Sequence, residues 1–229
     1  MITAQSTQLE QPRESFEAPD RQRLATRSRS PTVFADVFEE NVNLAIWERP
    51  LPASLEEAAK AVVTSNPTLK SAMTVSADDA LAGARTALRA SDNCGLSADI
   101  AELVEMFCYL LGVNRAGLRL VALTSPMCPK FHVDRVPCRL VTTYCGAGTE
   151  WVEHDRVDRT RLAVSGGGKS GLKSGLLKSP DDVRQLGCGH VALLKGELWE
   201  GNENAGVVHR SPAVRPGETR LLVTLDVSQ

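Results

Sequence analysis

At 229 residues the chain is long enough to bury a core and suits one domain, with or without a small appendage. Hydrophobic residues make up 42% and charged residues 24%, and a formal net charge of −2 gives no global pull toward nucleic acid or an anionic membrane. The longest apolar run, Leu103 to Val113, is too short for a bilayer and is broken by Glu105; Met1 to Ser6 lacks the basic start and apolar stretch of a secretory signal, so the expected compartment is the cytoplasm.

Residues 1–33 are polar and aperiodic, with arginines (Arg13, Arg21, Arg23, Arg27, Arg29) interleaved with acids, and read as a disordered or loosely docked arm. A single domain is expected over 34–229. It opens with a strand in which Val42, Leu44 and Ile46 alternate before Trp47, closed by Pro50 and Pro52. Three helices follow within 54–112. The first begins at the capping-box pair Ser54 and Glu57 and puts Leu55, Ala58, Ala59, Val62 and Val63 on one face. The second opens at Ser76 and Asp79, with Ala80, Leu81, Ala84 and Leu88 on its apolar face. The third starts near Ser97, runs through Ile100, Leu103, Val104, Phe107, Leu110 and Leu111, and is capped by Gly112.

From Leu118 the period changes to two. Short strands are expected near 131–136, 138–145, 149–153, 160–164, 190–195, 206–210 and 219–227, with Gly and Pro turns between them, which predicts a barrel or sandwich over 118–227. Between them, residues 165–189 are rich in glycine and lysine. Gly168-Lys169-Ser170 fails the phosphate-loop pattern because Ala163 stands where it needs glycine, and a lid between two halves of a site is the expectation. Six cysteines without a C-x-x-C pair are expected to stay reduced.

The chemistry concentrates in Phe131-His132-Val133-Asp134. Two residues apart on a strand, His132 and Asp134 point to one face and can grip one metal ion. Downstream, His209 supplies a second imidazole. Two histidines and a carboxylate are the ligand set of the non-haem Fe(II) facial triad, which leaves coordination positions open for oxygen and a co-substrate. Arg220, in the apolar run Arg220-Leu221-Leu222-Val223-Thr224-Leu225, would anchor that co-substrate and should share a face with Leu222 and Thr224. His154 is expected to face solvent. Trp151 and Trp199 are expected in the core or the pocket wall.

The wording Cys128-Pro129-Lys130-Phe131-His132-Val133-Asp134, with Thr143-Tyr144, Gly148-Thr149-Glu150-Trp151, Lys195-Gly196-Glu197 and Val208-His209-Arg210-Ser211-Pro212, resembles the bacterial family catalogued as domain of unknown function 1826, over roughly the last hundred residues. The order His-x-Asp, a long gap, His, then Arg is similar, more distantly, to the Fe(II)/2-oxoglutarate-dependent dioxygenases. That resemblance implies an α+β chain: a double-stranded β-helix (jelly roll) in the C-terminal half with the N-terminal helical cluster packed outside it. It further implies Fe(II) held by His132, Asp134 and His209, and 2-oxoglutarate held by Arg220 with help from Tyr144 and Thr142. A second reading stays open: a zinc-binding or metal-homeostasis protein without turnover, in which Cys128 or Cys188 joins the two histidines and Asp134 to bind Zn(II). The substrate and any partner are not legible.

Overall fold

The computed structural model describes residues 22–88, 95–162 and 175–228. Its strands, in chain order, are β1 (Leu24–Ser28), β2 (Val42–Trp47), β3 (Lys70–Ser76), β4 (Arg115–Leu123), β5 (Cys138–Cys145), β6 (Glu150–Val152), β7 (Val183–Gln185), β8 (Val191–Lys195), β9 (Val208–Arg210) and β10 (Arg220–Val227). Seven of them form one sheet in the order β1-β2-β8-β5-β10-β4-β3, and β7-β6-β9 form a second. All pairings are antiparallel except β1 with β2.

Alternation along the central strands divides the buried residues between two faces, as the pleat requires. Leu140, Val191, Leu193, Leu221, Val223 and Leu225 point to one side. There they meet helices α1 (Ala53–Ser65), α2 (Ala80–Leu88) and α3 (Leu96–Leu111) through Leu55, Val62, Leu88, Ile100 and Phe107. Leu44, Ile46, Val141, Ala192, Leu194 and Leu222 point to the other side, against Trp151, Leu186 and Val207 in and around the small sheet. The fold is thus α+β, with helices on one face of a large sheet and a small sheet across the other.

The helices arise from the expected apolar spacings. Gly112 caps α3 in the left-handed conformation at φ 64°. Before α2, Ser76 N donates to Asp79 Oδ1 at 2.5 Å and Asp79 N to Ser76 Oγ at 3.3 Å. The expected box at Ser54 and Glu57 is not made; α1 starts one residue earlier, behind Pro52. No helix among the described residues is long and apolar enough to cross a membrane.

Four expectations need correction. The arm ends earlier than residue 33, because Leu24–Ser28 pair with β2 and Val33, Phe34 and Val37 of the following 3-10 turn are buried; residues 1–21 lie outside the described residues. Strand β3 occupies the gap left between the first two helices. Where a strand was expected at 160–164, Asp158 caps a 3-10 turn over Arg159–Arg161 by accepting from Thr160 N. The stretch 131–136 forms no strand beyond one isolated bridge at His132. Residues 165–174 of the expected glycine-rich lid, and with them Gly168-Lys169-Ser170, lie outside the described residues, while its remainder, 175–189, holds a 3-10 turn over Pro180–Asp182 and strand β7.

Candidate metal centre

His132 and His209 are opposite members of one antiparallel bridge. Each donates its backbone N–H to the other's carbonyl at 3.0 Å. Residues so paired project to the same side, and the two rings stand with centroids 4.5 Å apart. The segment around Asp134 is held from behind by the Lys195-Gly196-Glu197 turn, where Gly196 N donates to Pro137 O and Glu197 N to Asp134 O, both at 2.9 Å. Only glycine permits that approach: a Cβ at Gly196 would lie 2.0 Å from Val136 O and 2.8 Å from Asp134 O.

Ring orientation is set by the backbone. His132 Nδ1 lies 3.0 Å from Lys130 O, and His209 Nδ1 lies 3.0 Å from Val207 O. A carbonyl oxygen only accepts, so each Nδ1 carries the proton and each neutral ring is left with a lone pair on Nε2. Both Nε2 atoms are turned to Asp134, at 3.7 Å from Oδ1 for His132 and 3.3 Å from Oδ2 for His209. Burial tends to raise the Asp134 carboxyl, but His209, Arg139 and His132 outweigh it and hold its pKa at about 2. Burial, together with the neighbouring His209, lowers the pKa of His132, favouring the neutral ring. With both rings neutral, two imidazole lone pairs and a carboxylate converge, a donor set suited to a divalent cation. One ligand atom from each of the three lies within 4.8 Å of the others, and among the described residues neither Cys128 nor Cys188 belongs to the group.

A cavity of about 50 Å³ opens beside this trio, lined by His132, His209, Arg139, Thr149, Thr224 and Arg220 among others. Arg220 begins β10 on the face shared with Leu222 and Thr224, and is 2% exposed. Its Nη2 donates to Thr143 Oγ1 at 3.0 Å and to Thr149 Oγ1 at 2.7 Å, and its Nε lies 3.3 Å from Thr143 Oγ1; Nη1 takes part in none of these bonds. Among the described residues no carboxylate oxygen lies within 4.0 Å of it. Burial depresses its pKa to about 10, opposed only by the charge of Glu150, which is itself engaged with Arg210 at 2.6 Å. Thr224 is also buried, and its hydroxyl has no partner among the described residues.

Tyr144 and Thr142 do not belong to this cavity. Thr142 stands opposite Val223 and Val191, both in the helix-side core. Leu221 pairs with Cys145 and Leu222 with Thr143, so Tyr144 is the extra residue of a bulge. It too turns to the helix side, where its hydroxyl donates to Asp99. The threonines that hold Arg220 are instead Thr143, one residue along, and Thr149. The latter follows Gly148, where a Cβ would meet Leu186 O at 2.0 Å. His154, expected at the surface, is buried at 8% exposure.

Residues 28–226 match a family described as "Protein of unknown function (DUF1826)", a far longer span than the last hundred residues. No curated protein matches the sequence. Among solved structures, the dioxygenase for auxin oxidation of rice is 12% identical, with a TM-score of 0.49 over 90% of this chain and 83% of that one. The 2-oxoglutarate complex of dioxygenase for auxin oxidation 1 from Arabidopsis thaliana is 9% identical, with a TM-score of 0.47 over 90% and 92%. A prolyl-4-hydroxylase of Pseudomonas putida is 14% identical, with a TM-score of 0.41 over 86% and 98%. With TM-scores below 0.5, none of these assigns a role to a residue here.

Proposed function

The chain belongs to the DUF1826 family, a membership that carries no activity of its own, and from its site we propose that it is a non-haem Fe(II)- and 2-oxoglutarate-dependent oxygenase built on a double-stranded β-helix, or jelly roll. His132, Asp134 and His209 hold the metal through two Nε2 atoms and a carboxylate oxygen. Bound Fe(II) supplies the redox chemistry, coupling the oxidative decarboxylation of 2-oxoglutarate by dioxygen to hydroxylation of a substrate C–H bond.

The observation that carries this reading is Arg220. A buried cation without a carboxylate is costly, and this one lines the same cavity as the two histidines. A dicarboxylate bound in that cavity would remove the cost. Nη1 is the edge left for its distal carboxylate, while Thr143 and Thr149 fix the plane of the guanidinium. Val141, Leu194 and Leu222 line the walls and exclude water.

The zinc alternative needs a fourth ligand to close the site. Cys128 lines the cavity but stands outside the group of three, which favours the open site. The test is calorimetry on the full chain, loaded anaerobically with redox-inert Mn(II) and titrated with 2-oxoglutarate. Binding that requires the metal is expected, together with loss of tight Mn(II) binding in His132→Ala, Asp134→Ala and His209→Ala but not in Cys128→Ser. Absence of 2-oxoglutarate binding sinks the oxygenase reading. Loss of metal in Cys128→Ser equal to that in the histidine variants moves the zinc reading ahead.

A further inference from the structure

Arg139 touches a candidate metal ligand without being able to ligate a metal itself. Its guanidinium uses two edges. Nε and Nη2 grip both oxygens of Asp226, at 2.6 and 2.9 Å, and Nη1 donates to Asp134 Oδ2 at 2.8 Å. Arg139 and Asp226 are cross-strand partners of β5 and β10, so the grip is anchored in the central sheet. All three side chains are largely withdrawn from water, at 19%, 22% and 11% exposure for Arg139, Asp226 and Asp134.

We infer that Arg139, clamped by Asp226, is a positioning residue that ties back one oxygen of Asp134 and leaves Oδ1 as the oxygen offered to the metal. The inference rests on the reading of His132, Asp134 and His209 as ligands. Two arguments support it. An aspartate rotates freely about its side-chain bonds unless something holds it, and Asp134 lies in a segment with no strand of its own; the Arg139 bond supplies the hold. The charge also has to be right. An uncompensated guanidinium beside a dication site would oppose metal binding, but Asp226 neutralises it, and the trio of two carboxylates and one guanidinium keeps a net negative charge. Partners of this kind behind a ligand typically govern metal affinity by about 10–100-fold.

The test uses the full chain with Mn(II) calorimetry and the visible absorption of the Co(II)-loaded protein. Arg139→Gln is expected to weaken Mn(II) by about 10–100-fold and to change the Co(II) spectrum as Asp134 is released. Asp226→Asn should also weaken Mn(II), by loosening the guanidinium and leaving its charge uncompensated beside the site, and should weaken it much less in the Arg139→Gln background, where no guanidinium remains to be clamped or neutralised. Arg139→Lys keeps the charge but loses the two-edged fork, and should restore only part of the affinity. If Arg139→Gln does not fold, Asp226→Asn carries the same test alone. Wild-type Mn(II) affinity and an unchanged Co(II) spectrum in these variants overturn the positioning role while leaving the ligands in place. Failure of the wild type to bind Mn(II), or undiminished binding in Asp134→Ala, overturns the ligand reading itself, and the positioning role with it.

Discussion

Two buried arginines stand on opposite faces of the large sheet and are treated differently. Arg49, on the helix side, is fully engaged: it pairs bidentately with Asp99 at 2.8 Å on both arms, donates through Nε to Gly189 O at 3.0 Å, and lies 5.0 Å over the Trp47 ring. Burial alone would lower its pKa, but Asp99 and Tyr144 overcome that and raise it. Arg220, on the cavity side, has two threonine hydroxyls and, among the described residues, no carboxylate, and its pKa falls to about 10 under burial, with the charge of Glu150 opposing. The first arginine is satisfied by a carboxylate of its own chain; the second is the one that the proposed co-substrate would complete.

The sharpest way to break the comparison is to remove the partner of Arg49. Asp99→Ala strands a buried guanidinium and the Tyr144 hydroxyl together, and should cost about 3–5 kcal/mol of stability, as breaking a buried pair does. Chemical denaturation measures it directly. Arg220→Met should do the opposite to the empty protein, leaving stability unchanged or raised, because it deletes an unpaired buried charge. It should leave Mn(II) binding nearly intact and weaken 2-oxoglutarate by about 2–5 kcal/mol, the usual loss when one partner of a buried charge pair is removed. An Arg220→Met protein destabilised as severely as Asp99→Ala would make Arg220 a second strut.

The difference between the two faces also explains what could be read from the sequence. That His132, Asp134 and His209 come together beside Arg220 is legible in the sequence because so few histidines stand in a strand context, and the phase of Arg220 with Leu222 and Thr224 holds in the fold. Helix α3 was legible because its apolar face repeats over four turns and ends at a glycine. Around Arg220 the fold places Thr143 and Thr149 where the resemblance implies Tyr144 and Thr142, because no continuous strand joins Asp134 to β5 and because the bulge at Tyr144 is visible only in the pairing with β10. Strand β3 escaped notice because, at the sheet edge, only Val75 of its seven residues is buried, which leaves no apolar alternation to find. Strand β1 is another edge, with no fully buried residue. Nothing in the sequence around Arg139 or Asp226 shows that these residues, 87 apart, form an ion pair.

The smallest expected effect sharpens the comparison most finely, because it uses one chemical change on both faces. Thr142 and Thr224 are each buried, at 1% and 5% exposure, and each hydroxyl has no partner among the described residues. Thr142 faces the helix-side core and Thr224 lines the cavity. Burying an unbonded hydroxyl costs about 1–3 kcal/mol, and Thr→Val replaces it with a methyl group. Thr142→Val should therefore stabilise the protein by about 1 kcal/mol, and by the same amount whether or not Mn(II) and 2-oxoglutarate are present, since Thr142 does not line the cavity. Thr224→Val should stabilise the empty protein similarly. In the cavity, however, the hydroxyl is available to a bound polar ligand, and a net hydrogen bond of about 0.5–1.5 kcal/mol is forfeited when the valine is there. The gain at Thr224 should accordingly shrink or vanish in the presence of both ligands, because a ligand that binds the folded state less tightly stabilises it less. Thermal unfolding of the two variants, each with and without Mn(II) and 2-oxoglutarate, measures this. Parallel shifts in all four conditions would mean that Thr224 meets no ligand, and that the polar side of the cavity ends at Arg220 and its two threonines.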